Sequence, residues 1–195
     1  MKIFLNKKNI LCLVFLFYIE STFAYEDYNQ IKIEADKSIE YFEKQKIYIA
    51  SGNAKASKGN LTIRAENLKA FMDQKENSNI TNIEALGNVI IINKNTTSRS
   101  NYAKYNFKKK LIFLRGNNQS IESKKFKIHS KKFISFDDLN KVANSEGDVK
   151  ILLSGPTSIF SEKVTANFDK INNTLSTATA YGKVKIKTKL ETITS

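Results

Sequence analysis

Apolar and polar residues alternate along most of this chain. Ile31-Lys-Ile33-Glu-Ala35, Leu61-Thr-Ile63-Arg-Ala65, Val164-Thr-Ala166-Asn-Phe168 and Val184-Lys-Ile186-Lys each place a hydrophobe at every second position. That period belongs to a β-strand with one buried face. The same alternation marks 47–50, 105–107, 111–114, 126–128, 133–136 and 159–160 as strands. Between them lie turn clusters at 58–60, 73–79, 93–99, 117–120, 137–141, 154–157 and 170–173, and the single proline, Pro156, falls in one of these. No stretch offers an apolar stripe of helical period and length. Many short strands with regular turns predict an all-β sandwich, barrel or roll.

A longer period overlies the short one. Gly52, Gly87, Gly116, Gly147 and Gly182 recur in one local phrase, as in Ala85-Leu-Gly87-Asn-Val89-Ile-Ile91 and Ser145-Glu-Gly147-Asp-Val149-Lys-Ile151. The chain has 7 glycines, so five in register is a pattern rather than a scatter. A second phrase interleaves with the first: Ala35-Asp-Lys-Ser-Ile39 recurs as Ala65-Glu-Asn-Leu68 and, more loosely, from Ser100, Ser130 and Ser161. Two motifs sharing a period of roughly 30–35 residues define one unit repeated about five times, the mark of a repeat architecture. The unit at Gly116 is the weakest, because Asn118 stands where the other phrases carry a valine or an alanine.

The N-terminus departs from this pattern. Lys2, Lys7 and Lys8 precede an apolar run from 10 to 19, and Thr22-Phe-Ala24 follows it. That is the secretory pattern, and it predicts a cleaved signal peptide over 1–24 and one mature β-domain over 25–195. The run is too short to span a bilayer, which takes about 20 apolar residues. Cys12, the only cysteine, lies within the run, so the mature chain offers no disulfide, thiolate zinc site or cysteine nucleophile.

The formal charge of +13 suggests an anionic partner or surface. Much of it is the outward half of alternating strands. The secretory signal and the lack of a compact basic motif argue against nucleic acid as the partner. Catalytic chemistry is absent: the one histidine, His129, alternates with Ile128 and has no converging partner. Asp137 and Asp138 lack the ligand ladder of a calcium loop. No catalytic residue, metal site or cofactor is expected, and the chain does not read as an enzyme.

The signal peptide, the interleaved Ala-Asp/Glu and Ala-x-Gly-Asn-Val-x-Ile phrases and the mature length together resemble the OstA-like family, from Ile31 to about Lys187. The resemblance implies an elongated antiparallel β-jellyroll, a folded sheet of roughly 14–16 strands built from those repeats. It implies a periplasmic protein that binds lipopolysaccharide, with acyl chains in an apolar groove. Such modules pair head to tail with themselves or with family partners at either membrane, forming a bridge from inner to outer membrane. The groove would then be lined by Ile33, Ile47, Ile49, Ile63, Ala85, Val89, Ile91, Phe107, Leu114, Val149, Ile151, Ala166, Phe168, Val184 and Ile186. The assembly edges would include Ile31, Ile33 and Ala35 at one end and Val184 and Ile186 at the other. Two other readings stand beside this one: a membrane-anchored member of the same pathway, and a structural β-solenoid with a dry core.

Overall fold

The computed structural model describes residues 30–73 and 79–195, all of them strand or connection. The expected signal peptide over 1–24 lies outside the described residues. The chain meanders as one 15-stranded sheet in which every pairing is antiparallel. In chain order the strands are β1 (Lys32–Glu34), β2 (Ser38–Phe42), β3 (Ile47–Lys58), β4 (Leu61–Met72), β5 (Ile80–Asn93), β6 (Thr96–Asn106), β7 (Leu111–Arg115) and β8 (Gln119–Glu122). They continue with β9 (Phe126–Ser130), β10 (Phe133–Asp137), β11 (Val142–Leu153), β12 (Ser158–Phe168), β13 (Leu175–Tyr181), β14 (Lys185–Lys187) and β15 (Thr192–Thr194).

The pairing registers show that this sheet is folded along a line. One half of β3 pairs with β2 and the other half with β1. Likewise β6 pairs with β7 and then β8, β11 with β10 and then β9, and β12 with β13 and then β14. Each pass of the chain therefore gives a segment to each of two leaves. The first leaf runs β2-β3-β4-β5-β6-β7-β10-β11-β12-β13 and the second β1-β3-β4-β5-β6-β8-β9-β11-β12-β14-β15.

The repeated glycines are the fold line itself. Register shifts fall at Ser51/Ala54, Leu86/Val89 and Glu146/Val149, bracketing Gly52, Gly87 and Gly147. At each of these the glycine and the next residue both take positive φ: Gly52 +81° with Asn53 +44°, Gly87 +81° with Asn88 +48°, Gly147 +88° with Asp148 +44°. Two left-handed residues in succession bend the strand, and glycine followed by Asn or Asp is the pair that adopts them at least cost. A Cβ on Gly147 would stand 2.7 Å from Lys132 Cβ and 2.9 Å from the Lys132 backbone nitrogen, so the neighbouring pass needs the glycine as well. Gly116 has φ +149° with no left-handed residue after it, and here the pass breaks into two strands, β7 and β8. At the weakest repeat in the sequence the crease is thus a gap between strands, as it also is at Gly182 between β13 and β14.

Polar side chains lock the crease from outside. Asn53 donates to Asp36 at 2.8 Å and Asn88 to Glu66 at 2.7 Å. Lys131 meets Asp148 at 2.8 Å, Lys183 meets Glu162 at 3.1 Å, and Lys132 pairs with Glu146. Those hydrogen bonds hold the Asp148 and Glu146 carboxyls below the usual carboxylate range and push the Lys131 ammonium up. These groups are exposed, so each pair contributes little on its own; the backbone geometry carries the bend.

The inner faces of both leaves form one apolar core. Val89, Leu114, Ile121, Ile128, Ile134, Ile151 and Val164 have no solvent exposure. The core is finest in grain near the N-terminal passes, where Ala50, Ala54, Ala56, Ala65, Ala70, Ala85 and Ala103 face inward. It coarsens through Leu114, Phe126, Phe136 and Phe168 further along.

Candidate functional site

Opposite the crease, the hairpin turns of the two leaves form two rims. No backbone hydrogen bond joins one rim to the other among the described residues. The leaves meet there through side chains. Lys125, on the second leaf's rim, donates from Nζ to the Asn172 carbonyl on the first at 2.6 Å. Lys58 lies 5.8 Å from the centre of the Phe107 ring, again from one leaf to the other. Phe126 of the second leaf packs 4.5 Å from Phe168 of the first, centroid to centroid, and Phe168 meets Phe136 edge-on at 6.1 Å.

Between these crossings the interior opens in a cavity of about 480 Å³. Its floor is Ile91, Ile112, Phe126, Phe136 and Phe168 with one polar residue, Ser98. Lys94, Lys124, Lys125, Lys141 and Lys170 surround the mouth. The only carboxylate among its lining residues, Asp138, is held by Lys141 at 2.6 Å. Among the described residues, Lys94, Lys124 and Lys170 have no acidic partner. An apolar floor beneath a cationic rim suits an amphipathic anion: burial holds the apolar part, and the lysines bias where the charge sits.

Of the expected groove residues, Ile63, Ala85, Val89, Ile91, Leu114, Val149, Ile151, Ala166 and Phe168 are buried in the shared core, and Ile33, Phe107 and Ile186 pack half-buried against it. Ile91 and Phe168 line the cavity. Ile47 and Ile49 are a correction. Ile49 opposes Glu40 and Lys69, and Ile47 opposes Phe71, so both stand on the outer face while Tyr48 and Ala50 take the interior. Val184 lies half-buried just outside β14, its carbonyl accepting from the Ser195 amide at 3.1 Å. The sequence reading missed Ile112, Phe126, Phe136 and Ser98, and it missed the rim lysines as a group. The signal was present in part: Phe126-Lys-Ile128 and Phe133 to Phe136 alternate, and each ends beside a lysine-bearing turn.

The assembly edges also need a correction. Ile31, Ile33 and Ala35 lie in or beside β1, which is an edge of the second leaf. There Glu34 bridges Lys32 and Lys55, at 2.8 and 2.9 Å, and these hydrogen bonds lower its pKa to about 2. Ile186 is not at an edge, because β15 folds back over β14 and leaves it flanked on both sides. The C-terminal edges are β13 on the first leaf and β15 on the second, and β2 is a further N-terminal edge.

The described geometry defines a class: a single antiparallel sheet creased into two leaves around an apolar interior, with a cationic mouth. The family model described as LptA/(LptD N-terminal domain) LPS transport protein matches residues 32–135, and the chain belongs to that family. Among solved structures it is similar to the crystal structure of LptH, the LptA homologous periplasmic component of the conserved lipopolysaccharide transport device from Pseudomonas aeruginosa. The identity is 12% and the TM-score 0.35, over 83% of this chain and 96% of that one, a likeness too distant to argue from. No curated protein matches the chain.

Proposed function

We propose that this chain is a periplasmic carrier of lipopolysaccharide that holds acyl chains between its leaves and leaves the sugars and phosphates outside. One observation carries the reading: a predominantly apolar interior, closed at the crease, reaches a lysine-rimmed mouth with an apolar floor. Rims joined by side chains can part without breaking a strand pairing, so the interior opens by hinging at the crease. Burying an acyl chain stabilises by about 0.8 kcal/mol per methylene, so one chain of about a dozen carbons contributes roughly 10 kcal/mol before ordering costs. Exposed lysines contribute ~0–1 kcal/mol each, so the interior holds the ligand and the rim orients it.

The unpaired edges β1 and β2 at one end and β13 and β15 at the other are templates for further strands. Joining one end to the other is heterologous and does not close, which suits a bridge of variable length between two membranes, built from this chain or from family partners.

The test is mass spectrometry of the lipid extracted from protein purified from the cell envelope. The reading predicts a lipid A-bearing glycolipid in near-stoichiometric amount. A preparation that is lipid-free, or that carries bulk phospholipid alone, contradicts it.

A further inference from the structure

One row deeper than the cavity floor, the apolar interior is interrupted. Two residues beyond Ser98 along β6 comes Ser100, also turned inward and 8% exposed. The register Ser98 to Ile121 and Arg99 to Ser120 continues so as to set Ser100 opposite Gln119, the first residue of β8. Gln119 has no solvent exposure and sits opposite Ser130 on β9. Its Nε2 reaches Ser130 Oγ only at 3.5 Å, and Ser130 Oγ is already committed to the Phe133 and Glu146 carbonyls at 2.9 and 2.6 Å. Gln119 Oε1 and Ser100 Oγ have no hydrogen-bond partner among the described residues.

A buried polar group without a partner is costly, and native interiors rarely keep one. Here two stand side by side in a row whose neighbours are Val89 and Val149. Their chemistry is complementary to one ligand group: Gln119 Oε1 accepts, the Ser100 hydroxyl donates, and an alcohol oxygen does both. A methylene satisfies neither, and a ketone or ester carbonyl satisfies only Ser100.

We infer that Ser100 and Gln119 form an internal polar station that receives a hydroxyl on an acyl chain lodged between the leaves, so that the interior selects hydroxylated chains over plain ones. The inference rests on the acyl-chain reading above. The probes are methyl 3-hydroxytetradecanoate and methyl tetradecanoate, competing with a bound fluorescent fatty acid on the full chain. Both esters are uncharged, so neither is anchored at the lysine rim. The wild type binds the hydroxylated ester about five- to tenfold more tightly. Gln119→Leu and Ser100→Ala each erase that preference and leave the affinity for the plain ester unchanged. Neither variant melts below the wild type by more than a few degrees, because each removes an unsatisfied buried group; Ser100→Ala, the smaller change, serves alone if Gln119→Leu does not fold. Equal affinity of the wild type for the two esters overturns the station and leaves a trapped water as its occupant. If neither ester displaces the probe, the acyl-chain reading itself falls, a result distinct from loss of the preference.

Discussion

At the crease, position is dictated by backbone. Gly147 has φ +88°, Asp148 follows at +44°, and the Lys132 backbone nitrogen would lie 2.9 Å from any added Cβ. At the rims, by contrast, the two leaves touch through long side chains: Lys125 to the Asn172 carbonyl, Lys58 over Phe107. The first kind of contact fixes where the sheet bends. The second can be broken and remade by turning a few rotamers. A sheet built this way has a fixed bend and an adjustable opening, which is what the proposed role of carrying a long apolar cargo would need.

The comparison predicts that equal-sized changes at the two places have unequal consequences. Gly147→Ala is expected to destabilise by about 2–3 kcal/mol, because it combines a left-handed φ with a clash against backbone that cannot turn away. Chemical denaturation measures it. A loss within about 0.5 kcal/mol, the range of ordinary surface changes, would show that the crease is not what fixes the fold.

Replacing Lys94, Lys124 and Lys170 together by alanine has the opposite profile. Stability should stay within about 0.5 kcal/mol per site, because these side chains are exposed and hold no acidic partner among the described residues. Affinity for a phosphorylated lipid should fall by roughly tenfold, about 1.4 kcal/mol, with a weaker salt dependence, while an uncharged acyl probe binds as before. Tryptophan-free fluorescence displacement suits the measurement, since the chain has Trp 0. An equal loss for the charged and uncharged probes would mean that the rim shapes the cavity rather than orienting charge.

The same contrast explains how far the sequence could be read. The crease was visible as a repeat, because left-handed pairs admit few residue types and so leave Gly-Asn and Gly-Asp in register. Its meaning as a fold line was not, because a bulge and a turn use the same residues. The interior was legible where alternation runs unbroken, as at Ile63, Val89 and Ile151. It failed at Ile47 and Ile49, where two isoleucines outweigh Tyr48 and Ala50 by hydrophobicity but not by position. Leu61, Ile63 and Ala65 line the interior on one side of the crease, and Leu68 and Ala70 on the other, so parity changes within a single strand. The mouth was the least legible part. Lys94, Lys124 and Lys170 are far apart in sequence, and only the folding of one sheet onto itself brings their turns to one opening.

The account stands on the inward faces of the leaves being the surface that meets lipid. Photoreactive residues at Ile91, Val149 and Ile151, and at the outward neighbours Arg64 and Lys150, test it in cells making lipopolysaccharide. The account predicts crosslinks to lipopolysaccharide at the first three and none at Arg64 or Lys150, because a strand's two faces cannot both line one groove. Equal crosslinking at both sets, or crosslinking at neither, would contradict it.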